Sequence, residues 1–303
     1  MKKLHTLLAV LLALTLLLSG CQGTTNTASG SGAGSFQEPK TVVSLAPAVT
    51  QQLLDMELGD KLVAVDTNSS WMFADQVGHL PAMDLMAPDI EMLLELNPDL
   101  IFVTGMGTDA GGTALDSLVE EHGMTVVSLS SPSTIQGVMD DVQMVADRMG
   151  ESEKGAALVK GMQGKIDEVK AIADSISEKK TVYFEISPAP DLYTTGTGTF
   201  LAEMVELAGG ENVFGSLEGW ASVSEEEVLD KNPDVILTNA DWMEDPVGDI
   251  LARPAWSNCT AVKDGAVYLI DGNTSSQPNT HVMEALVEIA KTLYPEEYAS
   301  LTI

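Results

Sequence analysis

Residues 90–101 read Ile-Glu-Met-Leu-Leu-Glu-Leu-Asn-Pro-Asp-Leu-Ile, and residues 225–236 read Glu-Glu-Glu-Val-Leu-Asp-Lys-Asn-Pro-Asp-Val-Ile. In both, an Asn-Pro-Asp triplet opens an apolar run, Leu100–Val103 in one and Val235–Leu237 in the other. In both, a glutamate sits six residues before the Asn: Glu91 before Asn97 and Glu226 before Asn232. The copies lie 135 residues apart, the length of one domain. A chain that opens two strands with the same phrase at that spacing is expected to hold two similar α/β lobes, each carrying a matched acid.

The alternation along the chain agrees. Strands are expected at Thr41–Ala46, Leu62–Thr67, Leu100–Gly105 and Thr125–Leu129, then at Thr181–Ile186, Val235–Asn239 and Val267–Asp271. Helical patterns lie between them, among them Val49–Leu58, Ile90–Leu96, Thr113–His122, Phe200–Ala208 and Ser224–Lys231. Strands alternating with helices predict parallel sheets with crossover helices, once per half. Between the halves, Leu158, Met162, Ile166, Val169, Ile172 and Ile176 recur at three- and four-residue steps, one face of a single long helix. Gly155, Gly161 and Gly164 each weaken it by roughly 1 kcal/mol against Ala. The expected organisation is residues 1–20 leader, 21–37 linker, 38–150 first lobe, 151–179 bridging helix and 180–303 second lobe.

The N-terminus is a targeting segment. Lys2 and Lys3 precede the apolar run Leu7–Leu18, which is short for a bilayer span. It ends Leu18-Ser19-Gly20-Cys21, which resembles a bacterial lipoprotein cleavage site with Cys21 as the lipid-bearing first mature residue. Residues 22–35 are nearly all small or polar, the composition of a flexible tether. The expected location is extracytoplasmic, anchored to the membrane through Cys21. Cys259 is then alone, a buried or half-buried thiol with no disulfide partner.

Removing residues 1–20 takes away Lys2 and Lys3 and no acid, leaving 13 Lys+Arg against 45 Asp+Glu. Such a surface repels nucleic acid, which is excluded as a partner. Six of those 13 cations lie between Lys154 and Lys180. No Gly-x-Ser-x-Gly, His-Glu-x-x-His or Cys-x-x-Cys motif occurs, and His79, His122 and His281 have no ligand-like spacing. The chain therefore reads as a non-enzyme without a resident metal or cofactor, although the fold could bring His79 and His281 together with acids.

Two glycine-bearing turns invite a ligand reading. Gly105-Met106-Gly107-Thr108-Asp109-Ala110 follows a strand, but the next strand ends without the acid that a dinucleotide site needs. Thr195-Gly196-Thr197-Gly198-Thr199 could turn backbone N–H groups towards a ligand and lacks a Walker-type lysine. In open α/β sheets, ligands sit beyond the carboxyl ends of the strands. Trp71, Trp220 and Trp242, with Asn68, Asp241 and Asp271, are placed to line such a crevice; each is equally suited to cap a core. Glu91 and Glu226 fall in the first turn of their helices, behind Asp89 and Ser224 as N-caps. Acids there also complement the helix dipole, which is the plain structural alternative.

Thr41-Val-Val-Ser-Leu-Ala-Pro-Ala-Val-Thr50, Leu58-Gly-Asp-Lys-Leu-Val63, Asn97-Pro-Asp-Leu-Ile101, Gly209-Gly-Glu-Asn-Val-Phe214 and Trp220-Ala-Ser-Val-Ser-Glu-Glu226 together resemble the periplasmic binding proteins for cobalamin and iron–siderophore complexes. The resemblance covers about residues 40–295 and rests on the order and spacing of these segments. It implies two Rossmann-like lobes bridged by one long helix, a ligand cleft between them, a monomer, and delivery of the ligand to an ABC permease dimer. It also implies that Glu91 and Glu226 are the acids that meet permease arginines. Trp220 matches a pocket aromatic, and Asp271 a strand-end position beside the ligand. Strand-end loops here offer Asn68, Ser69, Ser70, Asp84, Asn239, Asp241, Asn273 and Thr274 and few cations. That favours a neutral or cationic metal chelate, a corrinoid or a ferric hydroxamate, over a catecholate; haem has no clear axial ligand. A surface-anchored sensor or enzyme on the same scaffold is the competing reading.

Overall fold

The computed structural model describes residues 37–105 and 115–302. Cys21, the tether and all of the 105–110 turn except Gly105 lie outside the described residues. Residues Glu38–Ile303 form one contact unit.

Eleven strands appear among the described residues: β1 Val42–Leu45, β2 Leu62–Asp66, β3 Ala82–Met83, β4 Leu100–Thr104, β5 Val126–Leu129, β6 Thr181–Ser187, β7 Tyr193–Thr195, β8 Glu211–Asn212, β9 Trp220–Ser222, β10 Val235–Thr238 and β11 Val267–Leu269. The first sheet has the order β3-β2-β1-β4-β5 and is parallel throughout. The second has the order β11-β10-β6-β7-β9, with β8 beside β6. It is mixed, because β7 runs antiparallel to both β6 and β9. The sequence predicts parallel pairing only; β7 and β9 are three residues each, too short to show a period of two.

Successive strand residues face opposite sides, so each sheet buries two apolar layers. In the first, Val42, Leu100 and Phe102 pack with Leu53, Val145 and Met149, whereas Val43, Ile101 and Val103 pack with Leu93 and Leu118. In the second, Val182, Phe184, Val235 and Leu237 join the C-terminal helix Val282–Leu293, whereas Tyr183 and Ile236 join Val228, Ile250 and Trp256.

The Asn-Pro-Asp repeat has a structural cause. Asn97 and Asn232 cap the helices Ile90–Leu96 and Glu225–Lys231 in the left-handed conformation, with φ of 42° and 45°. Asn tolerates that region better than most residues, and the following Pro cannot continue the helix. The Asp then clamps the start of the neighbouring strand. Asp99 Oδ2 accepts from Lys40 N (2.8 Å), Thr41 N (3.1 Å) and Thr41 Oγ1 (3.2 Å). Asp234 Oδ2 accepts from Thr181 N (2.8 Å) and Thr181 Oγ1 (2.7 Å). Each Asp N–H returns a bond to the same threonine hydroxyl, at 3.1 and 3.0 Å. These N–H donors hold the Asp99 carboxyl below the usual carboxylate range.

The long helix spans Ser152–Ala173, and a companion, Ile135–Met149, shares the junction. The first half of the companion, Ile135, Val138, Met139 and Val142, is buried in the core of the second lobe. Its second half, Val145, Ala146 and Met149, is buried in that of the first. Leu158 of the long helix packs on both. Gly155 allows the two helices to touch, since a Cβ there would lie 2.4 Å from Ala146 Cβ; Gly161 and Gly164 face open space. Three of the clustered lysines cap main-chain carbonyls. Lys154 Nζ donates to Met56 O (2.9 Å), Lys165 Nζ to Thr302 O (2.6 Å) and Lys180 Nζ to Leu293 O (2.6 Å), carbonyls at or near chain and helix ends. No helix among the described residues is long and apolar enough to cross a membrane.

Polar side chains also tie the lobes together. Asp55, at the end of helix Pro47–Asp55, accepts from Gln51 Nε2 (2.7 Å), from the Thr280 hydroxyl and from His281 Nε2 (3.3 Å). His281 Nδ1 lies 2.7 Å from Glu284. With a carboxylate on each ring nitrogen, the imidazolium is the form that satisfies both contacts. The Asp55 hydrogen bond, helped by both negative charges and opposed by burial, raises the His281 pKa. Burial alone would raise the Asp55 pKa, but the bonds from His281, Thr280 and Gln51 outweigh it and lower it. Across the same junction, Glu203 Oε2 accepts from Ile135 N (2.7 Å) and caps the companion helix.

Two expectations follow. Gly161→Ala and Gly164→Ala should each stabilise the chain by up to about 1 kcal/mol, from helix propensity. Gly155→Ala should destabilise it by about 1–3 kcal/mol through overpacking; urea denaturation separates the three. The His281 contribution is fully present below the unfolded histidine pKa and is lost as pH rises through the elevated folded value. The melting temperature should therefore fall as pH rises above the ordinary histidine range, about 6.5. Because the His281 side chain is 34% exposed, the drop should be no more than about 2–4 °C. Calorimetry of His281→Ala, which should flatten this part of the profile, checks it.

Candidate binding cleft and docking helices

The helices that carry Glu91 and Glu226 are built alike. Each has seven residues, and each glutamate is the second of them, exposed. Asp89 accepts from Met92 N (3.0 Å) as one N-cap. Ser224 accepts from Glu227 N (3.2 Å) as the other, and Glu227 Oε2 reaches back to Ser224 N (2.8 Å), completing a capping box. The residues two further on, Leu93 and Val228, are fully buried. They enter the layers opposite those that take up the companion helix. Both acids thus sit on the side of their sheet away from the helical junction, and the equal helix lengths and strand clamps place them equivalently in the two lobes.

The three tryptophans expected at the crevice have little to cover them. Trp71 ends up 78% exposed on the short helix Thr67–Met72 that follows β2; Trp242, just beyond β10, is 66% exposed. Trp220, which opens β9, is 51% exposed and packs edge-on against Phe200, 6.2 Å between ring centroids. These are the three most exposed of the large apolar side chains among the described residues. Trp256, the fourth, is fully buried.

The acids named with them serve their own loops. Asp84 Oδ1 accepts from Met86 N (2.8 Å), and Asp241 Oδ2 from Gly272 N (3.1 Å), joining the loops after β10 and β11. Asp271 caps helix Gly272–Ser276, accepting from Asn273 N (2.7 Å) and Thr274 N (3.3 Å). It also borders a cavity of about 420 Å³ lined by Thr274, Glu284, Glu288 and Lys291. Burial raises the Glu288 pKa, against the bond that its carboxylate accepts from Asp271 N (3.0 Å) and with the help of the Asp271 charge.

Two N–H groups of the Thr195–Thr199 loop are already engaged within the protein. Gly196 N donates to Gly219 O and Thr197 N to Leu217 O, both at 2.8 Å. Gly196 is required by this approach, since a Cβ would fall 2.4 Å from Leu217 O. His79 and His122 are exposed, and no group of three or more His, Cys, Asp or Glu that would hold a metal occurs among the described residues. Cys259 is buried.

Beneath Trp71, Asp66 is fully buried and caps its helix, accepting from Ser69 N (2.9 Å) and from the Ser69 hydroxyl. Burial raises its pKa against those bonds. Ser69 Oγ also meets Thr50 Oγ1 (2.9 Å), which donates to Ser44 Oγ (2.8 Å). This hydroxyl chain, which the sequence reading did not name, fixes the loop that presents Trp71. An Asp directly before Thr-Asn-Ser at a strand end was the available signal for a cap.

Residues 42–274 match the family model described as periplasmic binding protein. The chain is 29% identical to the uncharacterized ABC transporter substrate-binding lipoprotein YvrC of Bacillus subtilis, over 98% of this chain and 99% of that protein. It is 26% identical to the cobalamin-binding protein of Halobacterium salinarum, over 85% of this chain and 70% of that one. A solved structure of a possible iron-binding, periplasmic solute-binding protein from Staphylococcus epidermidis superposes with a TM-score of 0.76 at 26% identity, covering 85% of this chain and 100% of that one. With its two α/β lobes, long bridging helix and matched seven-residue helices, the chain belongs to the periplasmic binding protein family.

Proposed function

We propose that the chain is a lipid-anchored, extracytoplasmic substrate-binding protein that holds a corrinoid between its lobes and delivers it to an ABC import permease. The observation that carries this reading is the exposure of Trp71 on the helix after β2, Trp220 at the start of β9 and Trp242 in the loop after β10, one in the first lobe and two in the second. Leaving a large apolar side chain in water forgoes about 1.5–3 kcal/mol each. A flat, largely apolar macrocycle would recover that on binding. No Lys or Arg stands in the strand-end loops, which supports a neutral or cationic chelate over an anionic one. The Halobacterium relative, named for cobalamin binding, supports the corrinoid over a ferric hydroxamate. The name of the Bacillus relative supports lipidation at Cys21. Glu91 and Glu226, equivalent in the two lobes, suit a permease whose two subunits each present a cation.

Cobalamin should quench the tryptophan fluorescence of the purified chain, and Trp220→Ala should weaken its affinity about tenfold, the worth of roughly 1–1.5 kcal/mol of aromatic contact. Tighter binding of a ferric catecholate or of molybdate would sink the ligand assignment. Replacing Glu91 and Glu226 together with Ala should leave cobalamin affinity unchanged and cost little stability, about 0.3–1 kcal/mol per lost dipole contact. Uptake by cells at limiting cobalamin should nevertheless fall about tenfold or more, since rim charges govern encounter with a charged partner. Normal uptake by that double variant would reduce both acids to helix-starting residues.

A further inference from the structure

The two docking helices match at their C-terminal ends and differ at their N-terminal ends. In the second lobe, Glu225 immediately precedes Glu226, and its Oε2 accepts from Trp256 Nε1 at 2.7 Å. Trp256 is fully buried. The Arg253 guanidinium covers its ring at 4.7 Å, and Tyr183 meets it at 6.1 Å. Arg253 is gripped in turn by both oxygens of Glu185 (2.7 and 2.8 Å) and by Asp249 (2.8 Å). Glu185 lies on β6, only 1% exposed. A continuous run of packed and hydrogen-bonded side chains therefore leads from a central strand to the first residue of the docking helix. In the first lobe the corresponding residue is Ile90, which has no such hydrogen bond to make.

The ends of a helix are less restrained than its middle, and in these two the leading turn is held by the Asp89 cap and by the Ser224–Glu227 capping box. In a seven-residue helix, the second residue is held only as well as the side chains around it allow. We propose that Trp256 and Glu225 are positioning residues that hold Glu226 in the orientation the permease recognises, so that the second lobe presents a pre-set docking charge and the first a more mobile one. This deepens the docking reading of Glu226 and rests on it. The hydrogen bond, not the charge of Glu225, is what the arrangement requires: Trp256 needs an acceptor, and a carbonyl oxygen would serve.

The test uses Glu225→Ala, which removes the acceptor, and Glu225→Gln, which keeps an acceptor and removes the charge. Glu226→Ala is run beside them. Cells lacking their own copy express each full-length chain at graded levels, and uptake of labelled cobalamin is followed against chain level. Glu225→Ala should raise the half-saturating level about tenfold and leave the maximal rate and cobalamin affinity near wild type. Glu225→Gln should stay within about twofold of wild type. Amide exchange over residues 225–231 should quicken in Glu225→Ala, with residues 90–96 unchanged. Trp256→Phe should reproduce the Ala phenotype if it folds; the Glu225 pair decides the matter if it does not. Equal impairment by Ala and Gln would overturn the proposal in favour of a direct charge contact by Glu225. A normal Glu225→Ala beside an impaired Glu226→Ala would overturn it while leaving the docking reading intact. A normal Glu226→Ala would overturn both.

Discussion

One reciprocal contact sets the geometry of each lobe. A threonine at the start of the central strand gives its N–H and hydroxyl to an aspartate at the start of the next strand, and receives that aspartate's N–H in return. Two strands that never follow each other in sequence are thereby locked in register at their first residues. The left-handed Asn and buried Pro just before the aspartate stop the preceding helix at a fixed point. Helix end, strand start and strand pairing are then a single event, made twice in the chain. Everything carried by those helices, Glu91 and Glu226 included, inherits its position from this clamp.

That is why the repeat was so readable. Asn, Pro and Asp each meet a local demand of the backbone, and local demands show in sequence. The parallel core strands and the apolar face of the long helix were legible for the same reason: each has a period. What was not legible depends on contacts between distant residues. The three-residue strands β7 and β9 have no period, and they turned an expected parallel sheet into a mixed one. The Thr195–Thr199 loop looks like a ligand turn, yet two of its N–H groups, those of Gly196 and Thr197, are taken by Gly219 and Leu217. Trp71, Trp220 and Trp242 differ from Trp256 only in what surrounds them, and nothing in their neighbouring residues says so.

Charge is distributed with the same economy. In a chain of formal charge −30, cations are scarce, and several are placed on main-chain carbonyls. The half-buried Arg253 holds Glu185, Asp249 and the Trp256 ring at once. With the cations occupied in this way, the strand-end loops are left without positive charge. The ligand preference and the cohesion of the scaffold thus draw on one limited set of residues.

The companion helix Ile135–Met149 has a consequence for the chain as a whole. Its two halves belong to two different cores. Cutting the chain anywhere near residue 150 would leave one fragment with an apolar half-helix in water and the other with a hole where that half-helix belonged. The lobes repeat each other in sequence, but neither is a separable domain. Heat or denaturant should therefore meet them as one cooperative unit, despite the phrase that they share.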